Sequence, residues 1–168
     1  GTATLKAKDD LFTYLAKTGR TIKIAGAMMG SSWMGSHLNN NDLVKAARVA
    51  DNYDLKVAGK GTIDGVPHYV LTATAKRDAA VVWGKIEVMI RTEDLLPTRQ
   101  IFYDEDGTAI RIMEFEDYQM SGDRKLAKRM VISPLDGSGE FTRVEFKKMD
   151  FDVEVPESLF TIQHLKSI

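Results

Sequence analysis

Apolar and polar positions alternate with a period of two along most of the chain. From Val82 to Arg91, the residues Val82, Ile86, Val88 and Ile90 fall on one face and Lys85, Glu87 and Arg91 on the other, as a strand with one wet side requires. Segments of the same character run from Phe12 to Leu15, Thr21 to Ala25, Tyr53 to Thr62, Val66 to Ala75, Thr98 to Tyr103, Thr108 to Tyr118, Leu126 to Ser133 and Glu140 to Val155. Most are rich in Val, Ile, Thr, Tyr and Phe, which fit a pleated, half-buried surface. The last is expected to carry an irregularity near Lys147 to Asp150.

Short turn signals separate these segments: Ile63-Asp64-Gly65, Asp104-Glu105-Asp106-Gly107 and Leu135-Asp136-Gly137-Ser138-Gly139. Links of this length join neighbouring antiparallel strands and are too short for the crossovers of a parallel sheet, so an antiparallel meander of about nine or ten strands is expected. Helix is scarce. Asn41 to about Ala50 has Asn40 or Asn41 as a cap and Leu43, Ala46, Ala47 and Ala50 along one side. A second turn of helix is expected at Pro156 to Phe160, with Glu157 where the helix dipole favours an acid. A sheet this large protects its inner face by closing into a barrel, folding into a sandwich, or curling into an open half-barrel with helices over the mouth.

Composition narrows the function. The 168 residues carry 23 Lys+Arg against 24 Asp+Glu, a formal net charge of −1, whereas a nucleic-acid binder needs a basic excess to neutralise phosphates. With 43% hydrophobic and 28% charged residues the chain resembles an ordinary folded domain, and its length suffices for a core without staples. There are no cysteines, which excludes thiol catalysis and Cys-ligated metal. No internal repeat or linker divides the chain, so residues 1–168 are expected to form one domain. It starts at Gly1-Thr2 without Met or a signal peptide, and an export signal and leading structure are expected upstream.

Candidate chemistry is thin. His37, His68 and His164 lie in unrelated contexts without metal-ligand spacing. No Gly-x-Ser-x-Gly elbow or phosphate-cradling loop is present. Glu114, Glu116 and Asp117 leave a hydrolase open in principle, although an alternating Glu on a strand is usually a solvated face. The stretch Ala27 to Leu38 is more informative: Met28, Met29, Trp33 and Met34 stand among glycines and serines that prevent a regular core element. These side chains either plug the end of the core or line the mouth of an apolar cavity, where methionine suits variable ligands. Trp83, Met89, Met113 and Phe115 are further candidates for an apolar lining, or plain core.

The run Gly30-Ser31-Ser32-Trp33-Met34-Gly35-Ser36-His37-Leu38-Asn39-Asn40-Asn41-Asp42-Leu43 resembles the signature of the bacterial outer-membrane lipoprotein-sorting (LolA-like) family. Leu96-Pro97, Tyr103-Asp104 with Asp106-Gly107, and Pro156-Glu157-Ser158-Leu159-Phe160 before Leu165 follow in the family's order, so the resemblance spans about Phe12 to Leu165. His37 stands where the family pattern has Asp. The resemblance implies a mainly β fold: a single large curled antiparallel sheet, an open half-barrel, with one or two short helices on its concave side. Longer family members imply a leading helix and early strands upstream of this chain; without them, exposed apolar surface would favour dimerisation.

The resemblance also implies a periplasmic, non-catalytic carrier of the acyl chains of a lipoprotein or lipid, without cofactor or metal. A membrane transport partner would receive the cargo. The expected ligand-binding set is Met28, Met29, Trp33, Met34, Leu38, Leu43, Trp83, Met89, Met113 and Phe115. An envelope sensor of lipid or stress, built on the same fold, is the alternative.

Overall fold

The computed structural model describes residues 2–7, 10–45 and 49–167. Ten strands follow in order: β1 (Thr2–Ala7), β2 (Asp10–Leu15), β3 (Arg20–Lys23), β4 (Tyr53–Ile63), β5 (Val66–Ala75), β6 (Lys85–Arg91), β7 (Pro97–Tyr103), β8 (Ala109–Ser121), β9 (Arg124–Pro134) and β10 (Thr142–Glu145). Every pairing is antiparallel between sequence neighbours. The large sheet has seven strands in the order β10-β9-β8-β7-β6-β5-β4 and is open, with β4 and β10 as its edges. The first three strands form a small sheet of their own.

Turn chemistry sets the register. β4 and β5 are joined by Asp64 and Gly65, both with positive φ (50° and 79°), the backbone of a two-residue hairpin whose twist matches its strands. β8 and β9 pair without a register shift from Arg111↔Pro134 to Ser121↔Arg124. Gly84, just before β6, is required for another reason: a Cβ there would lie 2.6 Å from the Asp104 carbonyl oxygen. The alternating segment beginning at Val82 therefore joins the ladder only at Lys85, because Trp83 turns into the core and Gly84 is pressed against the neighbouring backbone.

Two helical stretches lie over the large sheet, α1 (Asn40–Lys45) and α2 (Val49–Asn52), where helix is expected from Asn41 to Ala50; the residues that join them, 46–48, lie outside the described residues. Ala46 and Ala47 of the expected apolar side are among these, and Ala50 is exposed. The cap is Asn39 rather than Asn40 or Asn41. Its Oδ1 accepts from the Asp42 N–H at 2.9 Å, while Asp42 Oδ2 accepts from the Asn39 N–H at 2.8 Å, a reciprocal capping box. After a 3₁₀ turn at Glu157–Phe160, α3 (Ile162–Leu165) packs against β1 of the small sheet. It does not cover the large one.

The strand expected over Glu140 to Val155 is corrected to β10 alone. The Phe146 N–H still reaches the Lys128 carbonyl at 2.9 Å, but the chain then leaves the ladder. Ser121 Oγ donates to the Met149 carbonyl, Lys148 pairs with Asp150, and Asp152 adopts a φ of 56° held by Arg124. Side-chain contacts and a left-handed residue thus replace sheet pairing. The core lies between the large sheet and α1–α2, built on Tyr53, Ala73, Trp83, Ile86, Phe102, Met113 and Ile132. Leu5, Leu11, Val44 and Leu165 are buried apart from that cluster, where the small sheet meets α1 and α3.

Candidate functional site

A cavity of about 360 Å³ opens between α1–α2 and one face of the large sheet, within the roughly 300–1,000 Å³ of small-molecule sites. Leu38, Leu43 and Val49 roof it, and the sheet contributes Tyr53, Ile86, Phe102, Met113, Phe115 and Met130, with Trp83 at one side. The ladder explains why these side chains converge. Ile86 pairs with Phe102, Gln100 with Met113, and Phe115 with Met130, and directly opposed residues share a face. The wall is apolar, with Gln100, Asn41 and Asp42 as its polar members besides the Tyr53 hydroxyl.

The roof is held by a buried ion pair. Arg111, 4% exposed, sits two residues before Met113 on β8, and its Nη1 and Nη2 donate to Asp42 Oδ2 and Oδ1 at 2.8 and 2.7 Å. Nη1 also donates to the His37 carbonyl at 2.8 Å. The guanidinium stacks between Trp83 and Phe102, 4.5 and 4.2 Å from the ring centroids. Trp83 Nε1 donates to Asp42 Oδ1 at 3.4 Å, and the Tyr53 hydroxyl donates to the Trp83 carbonyl at 3.0 Å. Burial, reinforced by the Asp42 charge, pushes the Tyr53 phenol up to about 12, so it stays neutral and donates. The planar, permanently charged fork of arginine suits a site that needs two parallel bonds and two aromatic faces.

Of the residues singled out in the sequence, Leu38, Leu43, Trp83, Met113 and Phe115 line this cavity. Met28, Met29, Trp33, Met34 and Met89 do not. Met34 and Gly35 form the left-handed apex of a tight turn closed by Ser36 N–H on the Trp33 carbonyl, which throws Met34 outward, 50% exposed. Met28 is 47% exposed, and Met29 is half-buried beside it. Trp33 turns toward the small sheet, donating from Nε1 to the Thr4 hydroxyl at 3.0 Å. Met89 pairs with Val70 and Arg99 on the opposite sheet face, one residue out of step with Val88.

His37 ties the same loop to the sheet edge: its Nδ1 lies 2.9 Å from Thr142 Oγ1, and its N–H donates to that oxygen. Glu114 is bound by Arg99 at 2.7 Å and Glu116 faces Arg129 at 3.5 Å, both on the face away from the cavity. Among the described residues no group of three His, Asp or Glu could hold a metal ion. Arg111 was missed in the sequence although its alternation with Met113 and Phe115 places it on the lining face. A lone Arg in a strand carries no sign that a carboxylate 69 positions away will meet it.

A family model described as "Uncharacterized protein" matches residues 1–167, and none of the curated proteins matches the chain. Solved structures do. A DUF1329 family protein from Desulfovibrio piger superposes with a TM-score of 0.87 at 24% identity, over 96% of this chain and 66% of that one. A protein domain from Vibrio parahaemolyticus, described as outer membrane lipoprotein-sorting, gives 0.81 at 21%, over 96% and 67%. A LolA superfamily protein from Nitrosomonas europaea gives 0.79 at 20%, over 98% and 71%. The chain thus spans about two thirds of the length of the proteins whose fold it shares. With an open antiparallel sheet roofed by short helices, it has the LolA-like fold, and it belongs to the family, described only as "Uncharacterized protein", whose model runs from residue 1 to residue 167.

Proposed function

We propose that this chain is a non-catalytic carrier that holds an acyl chain of a lipoprotein or lipid between α1–α2 and the large sheet, and that it works in the periplasm. The observation that carries the reading is the apolar cavity under a roof clamped by one ion pair. Each methylene transferred from water contributes about 0.8 kcal/mol, so a chain of about a dozen carbons can be held without polar contacts. The structural neighbours support it through the lipoprotein-sorting description of one of them. Handover to a membrane transport partner would then require the roof to move. The candidate surface for self-association is edge strand β4, where Leu55 and Val57 are 59% and 62% exposed.

Native mass spectrometry of the purified chain, with extraction and identification of whatever is released on denaturation, tests the carrier. A stoichiometric acyl-bearing species is expected, and Leu43→Trp, which fills the space beneath the roof, should reduce its occupancy without lowering the melting temperature. An empty chain that takes up neither phospholipid nor acylated peptide would sink the reading.

A further inference from the structure

The apolar lining does not stop at the roofed cavity. Phe115 and Met130 also floor a second groove of about 260 Å³, which continues over Leu126, Phe146 and Met149. Those last three in turn line a hollow of about 380 Å³ at the end of the β8–β9 hairpin. Within that hollow the chemistry changes, for it is also lined by Lys128, Lys147, Lys148 and Asp150.

Most cations at this end are matched. Lys148 pairs with Asp150 at 2.8 Å, Arg124 with Asp152, Lys125 with Asp94, and Arg129 with Glu116. Asp117, which the register sets opposite Lys128, accepts from Gln119 Nε2. Val144 packs on the core, so Glu145 alternates to the other side of β10. Lys128 and Lys147 have no ion pair or side-chain hydrogen bond among the described residues. Lys128 is the more telling: on unshifted β9 it shares an alternation with Leu126, Met130 and Ile132, so a half-buried ammonium interrupts an apolar row.

We propose that this groove takes an anionic lipid lengthwise, its headgroup held by Lys128 and Lys147 and its acyl chain running over Phe146, Met130 and Phe115 toward the roofed cavity. The proposal rests on the carrier reading and narrows it, since it selects a charged lipid headgroup over the uncharged acylated end of a lipoprotein. The ammoniums supply point charges that fit a phosphate oxygen. The apolar floor leading away from them makes the ligand an amphiphile rather than a free anion.

Titration calorimetry below the micelle concentration tests this with lysophosphatidylglycerol and lysophosphatidylcholine of equal chain length. The anionic lipid should bind about tenfold tighter, the scale of one or two charge-assisted bonds at a partly wet site. Lys128→Gln with Lys147→Gln should abolish that preference, weakening the anionic lipid about tenfold and the zwitterionic lipid, whose phosphate is offset by its choline cation, by less, and Lys128→Arg should retain it. Melting curves confirm that the variants fold. Equal affinity of the two lipids for the unmodified chain overturns the headgroup site and leaves the carrier reading standing; binding of neither overturns both. Inorganic phosphate bound as tightly as the lipid would make this a free-anion site, and binding only to vesicles containing phosphatidylglycerol would make it a membrane-docking patch. Either result overturns the proposal.

Discussion

Arg111 concentrates much of the molecule's chemistry in one side chain. Removing one member of a buried ion pair strands the other charge, so Arg111→Ala or Asp42→Leu should each destabilise the fold by about 3–5 kcal/mol. Urea unfolding reads this directly. Replacing both partners by apolar residues should cost less than either single change, because no charge is left unpaired. Tyr53 gives a pH signature: its phenol rises from 10.0 to about 12 in the fold, first through burial and then through Asp42. A proton held by the native state and lost by the unfolded one makes the Tyr53 contribution to stability constant below pH 10 and declining as pH rises toward 12. Tyr53→Phe should make that decline in melting temperature shallower, the raised phenols of Tyr103 and Tyr118 keeping part of it. Had the phenol titrated as in water, the slopes of the two proteins would match.

Among the elements, α1 is the most locally encoded and the least self-sufficient. Six residues long, it is far too short to be stable alone and persists through its capping box, the Arg111 clamp and the Lys6 Nζ donation to the Val44 carbonyl. Loss of the cap in Asn39→Ala should cost about 1 kcal/mol and speed amide exchange in α1 ahead of that in β8 and β9. Unchanged exchange would mean that the clamp alone holds the roof. The same dependence on distant partners explains what the alternation pattern could not show. Residues 146–155 have the composition of a strand, but beyond Phe146 they take side-chain contacts, and periodicity does not report whether a neighbour is there to pair. Val82 and Trp83 fit a strand pattern for the same reason, until Gly84 meets the Asp104 carbonyl.

Across the whole molecule, the large sheet is a floor with two faces of different use. Ion pairs such as Arg99–Glu114 and Lys85–Glu87 occupy one face, and the other carries a continuous apolar track from Trp83 to Phe151. Filling the close approach that holds β6 against the turn after β7 should be felt throughout: Gly84→Ala forces backbone apart and should cost about 1–3 kcal/mol in thermal or urea unfolding. A ligand that stretches along the track should raise the melting temperature with the logarithm of its concentration once that exceeds Kd, which links the stability measurements to those of binding.

Local chemistry was enough to mark most of the strands, the antiparallel meander and the turn residues that join them, since alternation and left-handed Gly or Asp act over two to four positions. It also marked Trp83, Met113 and Phe115 as candidates for an apolar lining, and the family resemblance added Leu38 and Leu43. Tertiary structure decided which of them meet. It turned Met28 and Met34 out to solvent on a tight loop, sent Trp33 to the small sheet and Met89 to the far face, and brought Arg111 to Asp42 across 69 positions. Loop residues carry no period from which a direction can be read, and a charge shows its partner only once the chain has folded the two together.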